Sequence, residues 1–152
     1  MSLSNQQKAS ITAGVLIAAA ILIAALVLTY TVQIHNTGTI NTTGFVLWAD
    51  QNRTIAYGPT KGITWGTFNP GDIHAVMGWA QNTQNTNITL SYTLGNWNPT
   101  SAQQYLVFSW NYTGQILHPG DIIPVQMNLQ ALANVTGVTN FSFDINMTAT
   151  QA

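Results

Sequence analysis

Side chains that could carry acid–base or metal chemistry are few, because the sequence includes four Asp, three His, no Glu and no Cys. Asp72 and Asp121 hold the same place in two similar segments, and paired carboxylates can act as general acid and general base. Equivalent turn positions more often supply local hydrogen bonds. His35, His74 and His118 have no second ligand two or four residues away, as a local metal site would need. Without a nucleophile elbow, phosphate loop or dinucleotide fingerprint, we predict no enzyme activity, cofactor or metal site.

A second group of candidate residues consists of asparagines in the acceptor pattern for N-glycosylation, Asn-x-Ser/Thr. Chance predicts about three such sites in a chain this rich in Asn, Ser and Thr. Two interpretations stay open: an extracellular surface shielded by N-glycans, or a composition in which Asn and Thr are simply common. The seven candidate sites are Asn41, Asn52, Asn87, Asn111, Asn134, Asn140 and Asn146.

Aromatic residues form a third group, with five Trp, five Tyr and five Phe. They indicate either a well-filled core or an adhesive surface. Trp79 shares the apolar parity of its segment, which favours the core. Trp97 precedes Asn98-Pro99 in a predicted loop, where it could be an exposed anchor for carbohydrate or a partner subunit.

Charge is unusually scarce in this chain. Charged residues make up 5% of the sequence, against roughly 25% in an average soluble domain. A net charge of −1 excludes the basic surface that nucleic-acid binding needs. The 46% of apolar residues is enough to fill a core, so the low charge does not indicate disorder. The helices and strands that hold the candidate residues must therefore be built mainly from apolar and amide side chains.

The first 32 residues divide into a polar head at 1–10 and an apolar segment at 11–32. Apolar side chains would surround a helix here on all sides, and about 20 residues at 1.5 Å rise match the roughly 30 Å hydrocarbon core of a bilayer. We predict one long hydrophobic α-helix, lying in a membrane or bundled with copies of itself in a filament. Lys8 is the only charged side chain before it, which favours an N-terminus inside and a following domain outside.

Three interpretations of this segment stay open. A cleaved secretory signal has a shorter apolar stretch and a small-residue exit, which Thr29-Tyr30-Thr31 does not supply. An uncleaved signal anchor fits the length. Finally, Lys8-Ala9-Ser10-Ile11 resembles an archaeal pilin-type leader, and that resemblance places a cut between Ala9 and Ser10. The chain lacks the acidic residue that bacterial relatives carry near the start of the mature helix.

From 33 to 152 the pattern changes to short alternating segments separated by Gly, Pro and Asn, which predicts an extracellular all-β domain. Strict alternation puts one face of each segment in a core. Shorter apolar segments at Phe45–Trp48, Ile63–Phe68 and Leu106–Trp110 raise the total to seven to nine antiparallel strands, arranged as a sandwich. The four alternating segments are Ile73–Trp79, Ile88–Leu94, Ile123–Leu129 and Phe141–Met147.

A near-repeat supports this fold. Gly66–Ile73 parallels Gly114–Ile122, and each contains Pro-Gly-Asp-Ile. Pro at the second position and Gly at the third favour a type II turn that leads into a new strand. The pattern resembles the immunoglobulin-like domains of archaeal and bacterial surface proteins. The resemblance implies an immunoglobulin-like sandwich after the long N-terminal helix, and it says almost nothing about activity.

Two functions fit these features. The first is a non-enzymatic, pilin-like subunit of an extracellular filament, with helices bundled inside and glycosylated β domains outside. The alternative is a single-pass, membrane-anchored binding or accessory subunit of a surface layer, membrane complex or virion envelope. Both place the protein at the cell surface. The partners expected are the membrane or copies of its own helix, N-glycans and further copies in a homo-oligomer or polymer, with no nucleic acid.

Overall fold

The computed structural model describes residues 35–58 and 60–152, which lie within one compact unit spanning Val32–Ala152. This part of the chain forms seven strands and one short 3-10 helix (Thr100–Gln104). The strands are β1 (His35–Thr43), β2 (Val46–Trp48), β3 (Ile73–Gln81), β4 (Ile88–Asn98), β5 (Leu106–Trp110), β6 (Ile122–Ala131) and β7 (Asn140–Gln151).

The strands form two sheets. Sheet A has three strands in the order β1-β7-β4, and sheet B has four in the order β2-β3-β6-β5. The pairs in sheet B and the β4–β7 pair are antiparallel, whereas β1 runs parallel to β7 from His35↔Asn140 to Thr43↔Thr148. β1 and β2 therefore belong to different sheets although only Gly44 and Phe45 separate them.

The core lies between the two sheets, as a sandwich requires. From sheet A, Phe143 is 1% exposed. Its ring lies 6.5 Å from Phe108 of sheet B, and Tyr92 packs edge-on to the same Phe108 ring at 4.9 Å. The inward parity predicted for β4, β5, β6 and β7 is confirmed, since these strands bury Ile88, Leu90, Leu106, Phe108, Val125, Met127, Leu129, Phe141, Phe143, Ile145 and Met147.

The two Pro-Gly-Asp turns are confirmed as structural equivalents. In each, the first residue's carbonyl accepts a bond from the Asp N–H at 3.0 Å, and the glycine has a positive φ of 94° (Gly71) or 83° (Gly120). Each Asp carboxylate accepts the N–H of the turn's first residue, at 2.8 Å for Asp72 and 2.7 Å for Asp121. The turns lead into β3 and β6, which are neighbours in sheet B.

The predicted fold class needs correction. We expected only antiparallel strands, but β1 pairs parallel with β7 because the chain passes from sheet A to sheet B directly after β1. We also expected one long α-helix, and the described residues contain strands and a single 3-10 helix but no α-helix. The helix was predicted at 11–32, outside the described residues. Within residues 35–58 and 60–152, no helix is long and apolar enough to cross a membrane.

Candidate assembly surfaces

The outer face of sheet B exposes several large apolar side chains. Ile73 is 61% exposed and Met77 40% on β3, with Val107 at 47% on β5 and Ile122 at 38% on β6. Ile73, Ala75 and Met77 follow one another on the outward parity of β3, whereas Gln130 of β6 lies between Ile73 and Val107. Exposed apolar residues scattered singly need no explanation, but contiguous ones mark interaction sites.

β3 turns the face we expected in the core toward the outside, so the inward parity predicted for Ile73–Trp79 is wrong. The reason is space between the sheets. A Cβ added to Gly78, on the inward parity, would lie 3.0 Å from Leu47 Cδ1 and 3.4 Å from Met127 Cε. The space beneath Gly78 is therefore restricted, and the larger apolar residues of this strand, Ile73, Met77 and Trp79, lie on the outward parity.

Two tryptophans complete the apolar face. Trp48 on β2 and Trp79 on β3 are Cα partners, and both are partly buried. The Trp48 indole Nε1–H donates to Gln81 Oε1 at 2.9 Å. Trp79, which the sequence favoured as a core residue, lies on the outward parity of β3 with Met77. Trp48 and Trp79 thus form a rigid aromatic region of the face, next to the aliphatic side chains of Ile73 and Met77.

Amide side chains form a stripe along the same face. Gln126, Asn128 and Gln130 alternate outward on β6 and are partly buried. Gln126 Nε2 donates to Asn128 Oδ1 at 2.8 Å. The four strands of sheet B contain no Asp, Glu, Lys or Arg. The face is therefore composed of apolar groups, neutral amides and the Ser109 hydroxyl.

The outer face of sheet A has the opposite character. Its exposed side chains are polar, with hydroxyls at Ser91 and Thr93 on β4 and at Thr148 and Thr150 on β7, and amides at Asn96 and Asn98. Asn146 lies on the outward parity of β7 and is the Cα partner of Asn41 on β1. The sandwich thus has one polar and one apolar outer face.

The seven glycosylation candidates avoid the strands of sheet B altogether. Asn41, Asn140 and Asn146 lie in strands of sheet A, and the other four lie in connections. Asn52, Asn111, Asn134 and Asn140 are exposed. Asn87 is partly buried, and its Oδ1 lies 2.9 Å from His118 Nδ1. Glycan occupancy stays a prediction, but an N-glycan at any of these positions would start outside the strands of the apolar face.

β1 is the edge strand of sheet A. Its nine residues pair with β7, and on its other side Gly38 exchanges two main-chain hydrogen bonds with Ile63, at 3.1 and 2.9 Å. These bonds are made by the backbone and do not depend on the side chains of β1. The sequence of this segment has no apolar alternation that would predict its place in the sheet.

Beneath β1, the Trp65 indole nitrogen is buried without a hydrogen-bond partner among the described residues. A Cβ added to Gly38 would lie 3.5 Å from this Nε1, which is ordinary contact. A serine hydroxyl here could accept the indole N–H. In denaturant titrations, we therefore expect the free energy of unfolding of the Gly38→Ser variant to exceed that of the Gly38→Ala variant by about 0.5–1.5 kcal/mol. Equal stabilities of the two variants would contradict a bond between the introduced hydroxyl and Trp65.

Each of the four carboxylates accepts hydrogen bonds from its own partners, and the four do not form a cluster. Asp72 and Asp121 close their turns, and Asp144 Oδ2 accepts the Asn96 amide at 2.6 Å. Hydrogen bonds from the Ile55 N–H and from Thr54 lower the pKa of Asp50 below its ordinary value. Because the folded-state pKa is depressed, the contribution of Asp50 to stability is present at neutral pH and is lost as pH falls through that pKa.

His74 and His118 have different surroundings. His74 is on the inward parity of β3, where its ring stacks on Phe68 at 4.1 Å and its Nδ1 lies 2.6 Å from Trp65 O. His118 is exposed in its turn. Across the described ranges, no three His, Asp, Glu or Cys side chains come together in a group that could hold a metal ion.

Trp97 belongs to β4, not to a loop. Its ring is partly buried and lies parallel to Phe143 at 4.3 Å, with an interplanar angle of 7°. Its Nε1 is buried without a hydrogen-bond partner in the described part of the chain. Because the core covers one face of the ring, any contact with carbohydrate or a subunit would have to use the remaining surface. That role stays a prediction, as does cleavage between Ala9 and Ser10, which lie outside the described residues.

Comparison with known proteins gives no assignment. No protein family matches the sequence, and no curated protein matches it.

Proposed function

We propose that this protein is a non-enzymatic structural subunit of an extracellular filament, with a glycosylated β-sandwich on the outside of the polymer. The observation that carries the proposal is the position of β1. It is an edge strand that is bound to the rest of the sandwich through main-chain hydrogen bonds to β7 and Ile63. A strand held in this way can be supplied by another copy of the chain with the same bonds.

The connection after β1 favours such an exchange. Only Gly44 and Phe45 lie between β1 in sheet A and β2 in sheet B. A short connection that must change sheets promotes strand exchange, because straightening it lets β1 leave its own sandwich and enter the next one. Each copy then donates one strand and receives one. That arrangement is head-to-tail, and it grows into an open filament when the rotation between copies does not close a ring.

Other features are compatible with this function. Within the described residues the carboxylates and histidines form no constellation that could act as acid, base and nucleophile together. The hydroxyl-rich outer face of sheet A and the distribution of the sequons suit a surface turned toward solvent and glycans. We infer that the β domain provides assembly contacts and a protective outer surface instead of a reaction.

A fractionation experiment separates the two functions left open by the sequence. We expect the protein in filaments sheared from intact cells, with glycopeptides that contain sequons such as Asn52 and Asn134. Mass spectrometry of the sheared and the detergent-extracted fractions measures both the amount of the protein and its glycopeptides. Recovery solely in the detergent-extracted membrane fraction would contradict the filament and favour the tethered accessory subunit.

A further inference from the structure

We propose that the outer face of sheet B is a homotypic interface, which binds the same face of a second copy of this chain. This contact goes beyond the strand exchange proposed above, because it joins different surfaces and follows a different symmetry. β1 exchange is head-to-tail, whereas contact between two identical faces is isologous and closes as a pair.

The first argument is the apolar character of the face. Ile73 at 61% exposure and Val107 at 47% lie in the row that crosses β3, β6 and β5. Met77, at 40%, lies on β3 between that row and the Trp48–Trp79 pair. Gln130 of β6 lies between Ile73 and Val107, so apolar side chains lie on both sides of the amide stripe. Covering them removes apolar surface from water at roughly 25 cal/mol per Å².

The second argument is the absence of charge. Neither sign is present in any strand of sheet B, so a basic or acidic partner would lose hydration without gaining a counter-charge. A second copy has the same neutral surface. Contact between two such faces desolvates no ion, which makes this chain a better occupant than a charged one.

The amide stripe is the third argument, because amides are self-complementary. Gln126, Asn128 and Gln130 each carry both donors and acceptors. Apposed stripes from two copies can therefore bond to each other. The same groups would be left partly unpaired against a purely aliphatic surface, such as lipid tails, and that loss is costly. The mixture of amide and apolar groups thus favours protein over a membrane, and an identical face over an unrelated one.

Sequon placement sets a condition on the contact. None of the seven candidate asparagines lies in a strand of sheet B, whereas three lie in sheet A. Asn111, directly after β5, bonds to Gln126 through its main-chain N–H and its Oδ1, at 3.0 and 2.8 Å. A bulky, solvated glycan there would prevent two sheets from packing at the roughly 10 Å separation of a sandwich, so the contact requires Asn111 without a glycan.

The size of the face sets the strength to expect. Strands about 4.8 Å apart, with an outward residue about every 6.8 Å, give roughly 450 Å² of flat sheet per copy. A standard interface buries about 800 Å² per partner. The pair should therefore be weak in dilute solution, and it should gain strength where copies are held close together, as in a polymer.

Sedimentation of the full-length protein over a wide concentration range tests the contact. In the fraction that is not polymerised through β1, we expect a reversible monomer–dimer equilibrium. Ile73→Lys and Met77→Lys should each weaken it at least tenfold, because two-fold symmetry places every new charge in the interface twice. Ser91→Lys and Thr93→Lys are matched controls, adding the same charge to exposed positions on sheet A, and they should leave the equilibrium unchanged. Unchanged circular dichroism would show that the variants are folded.

Mixing variants gives a second readout that misfolding cannot imitate. Met77→Lys and Met77→Asp should each be largely monomeric. In an equal mixture, the two variants should form a mixed dimer with an affinity at least tenfold higher than either variant has for itself. A wild-type protein that stays monomeric at millimolar concentration would overturn the proposed contact, as would Lys variants that dimerise as well as the wild type. The β1 exchange is tested separately, by crosslinking between subunits.

Discussion

Phe143→Ala is expected to lower the free energy of unfolding by about 3–5 kcal/mol, the usual cost of removing a large aromatic ring from a packed core. Phe143 is 1% exposed and connects three neighbours. Trp97 stacks on it at 4.3 Å, Phe141 lies at 6.1 Å in the same strand, and Phe108 contacts it from the opposite sheet at 6.5 Å. Removing the ring leaves a cavity between the sheets that these neighbours cannot fill without moving.

Chemical denaturation with Thr148→Ala as a control measures this effect. Thr148 lies on the same strand, on the exposed parity, and its truncation should change the free energy of unfolding by less than about 0.5 kcal/mol. A loss below about 1.5 kcal/mol for Phe143→Ala would be too small for a buried aromatic residue. It would show that Phe143 is not at the centre of the interface between the sheets.

The sequence predicts which face of a strand is buried wherever one parity carries large apolar side chains and the other carries polar ones. β7 is the clearest case, because Phe141, Phe143, Ile145 and Met147 alternate with polar residues and all four are buried. The Pro-Gly-Asp turns were also predictable, since Pro fixes φ at the second position and Gly accepts the positive φ needed at the third. In these segments local preference and tertiary packing agree.

β3 shows where local pattern fails. Both of its parities are largely apolar, one large (Ile73, Met77, Trp79) and one small (Val76, Gly78, Ala80). Leu47 on β2 restricts the space for a side chain at Gly78, which favours the small parity inward. This restriction comes from a strand about thirty residues away in sequence. The apolar outer face, the main candidate surface, was for that reason read as core.

β1 shows a second limit. His35–Thr43 has no alternation, and its place in sheet A comes from hydrogen bonds to a strand about a hundred residues later. No local signal reports such a pairing. The sequons were visible from the sequence, but their absence from the strands of sheet B could be recognised only after the strands had been assigned to sheets.

Disulfide crosslinking between β1 and β7 is the most direct measurement of the central claim that subunits exchange β1. Thr37 and Ser142 are Cα partners, and neighbouring strands about 4.8 Å apart satisfy the geometry of a disulfide. The chain has no cysteine of its own, so a bond in the Thr37→Cys, Ser142→Cys variant has one origin. Thr37→Cys with Thr148→Cys is the control, because these positions are out of register by about 20 Å and should not link.

The readout is non-reducing electrophoresis of oxidised filaments. We predict a ladder of covalent multimers for the Thr37→Cys, Ser142→Cys variant, and monomers after reduction or with the out-of-register control. If filaments of the in-register variant gave only monomers containing an internal disulfide, each β1 would be paired with its own β7, and the strand-exchange account of this protein would be wrong.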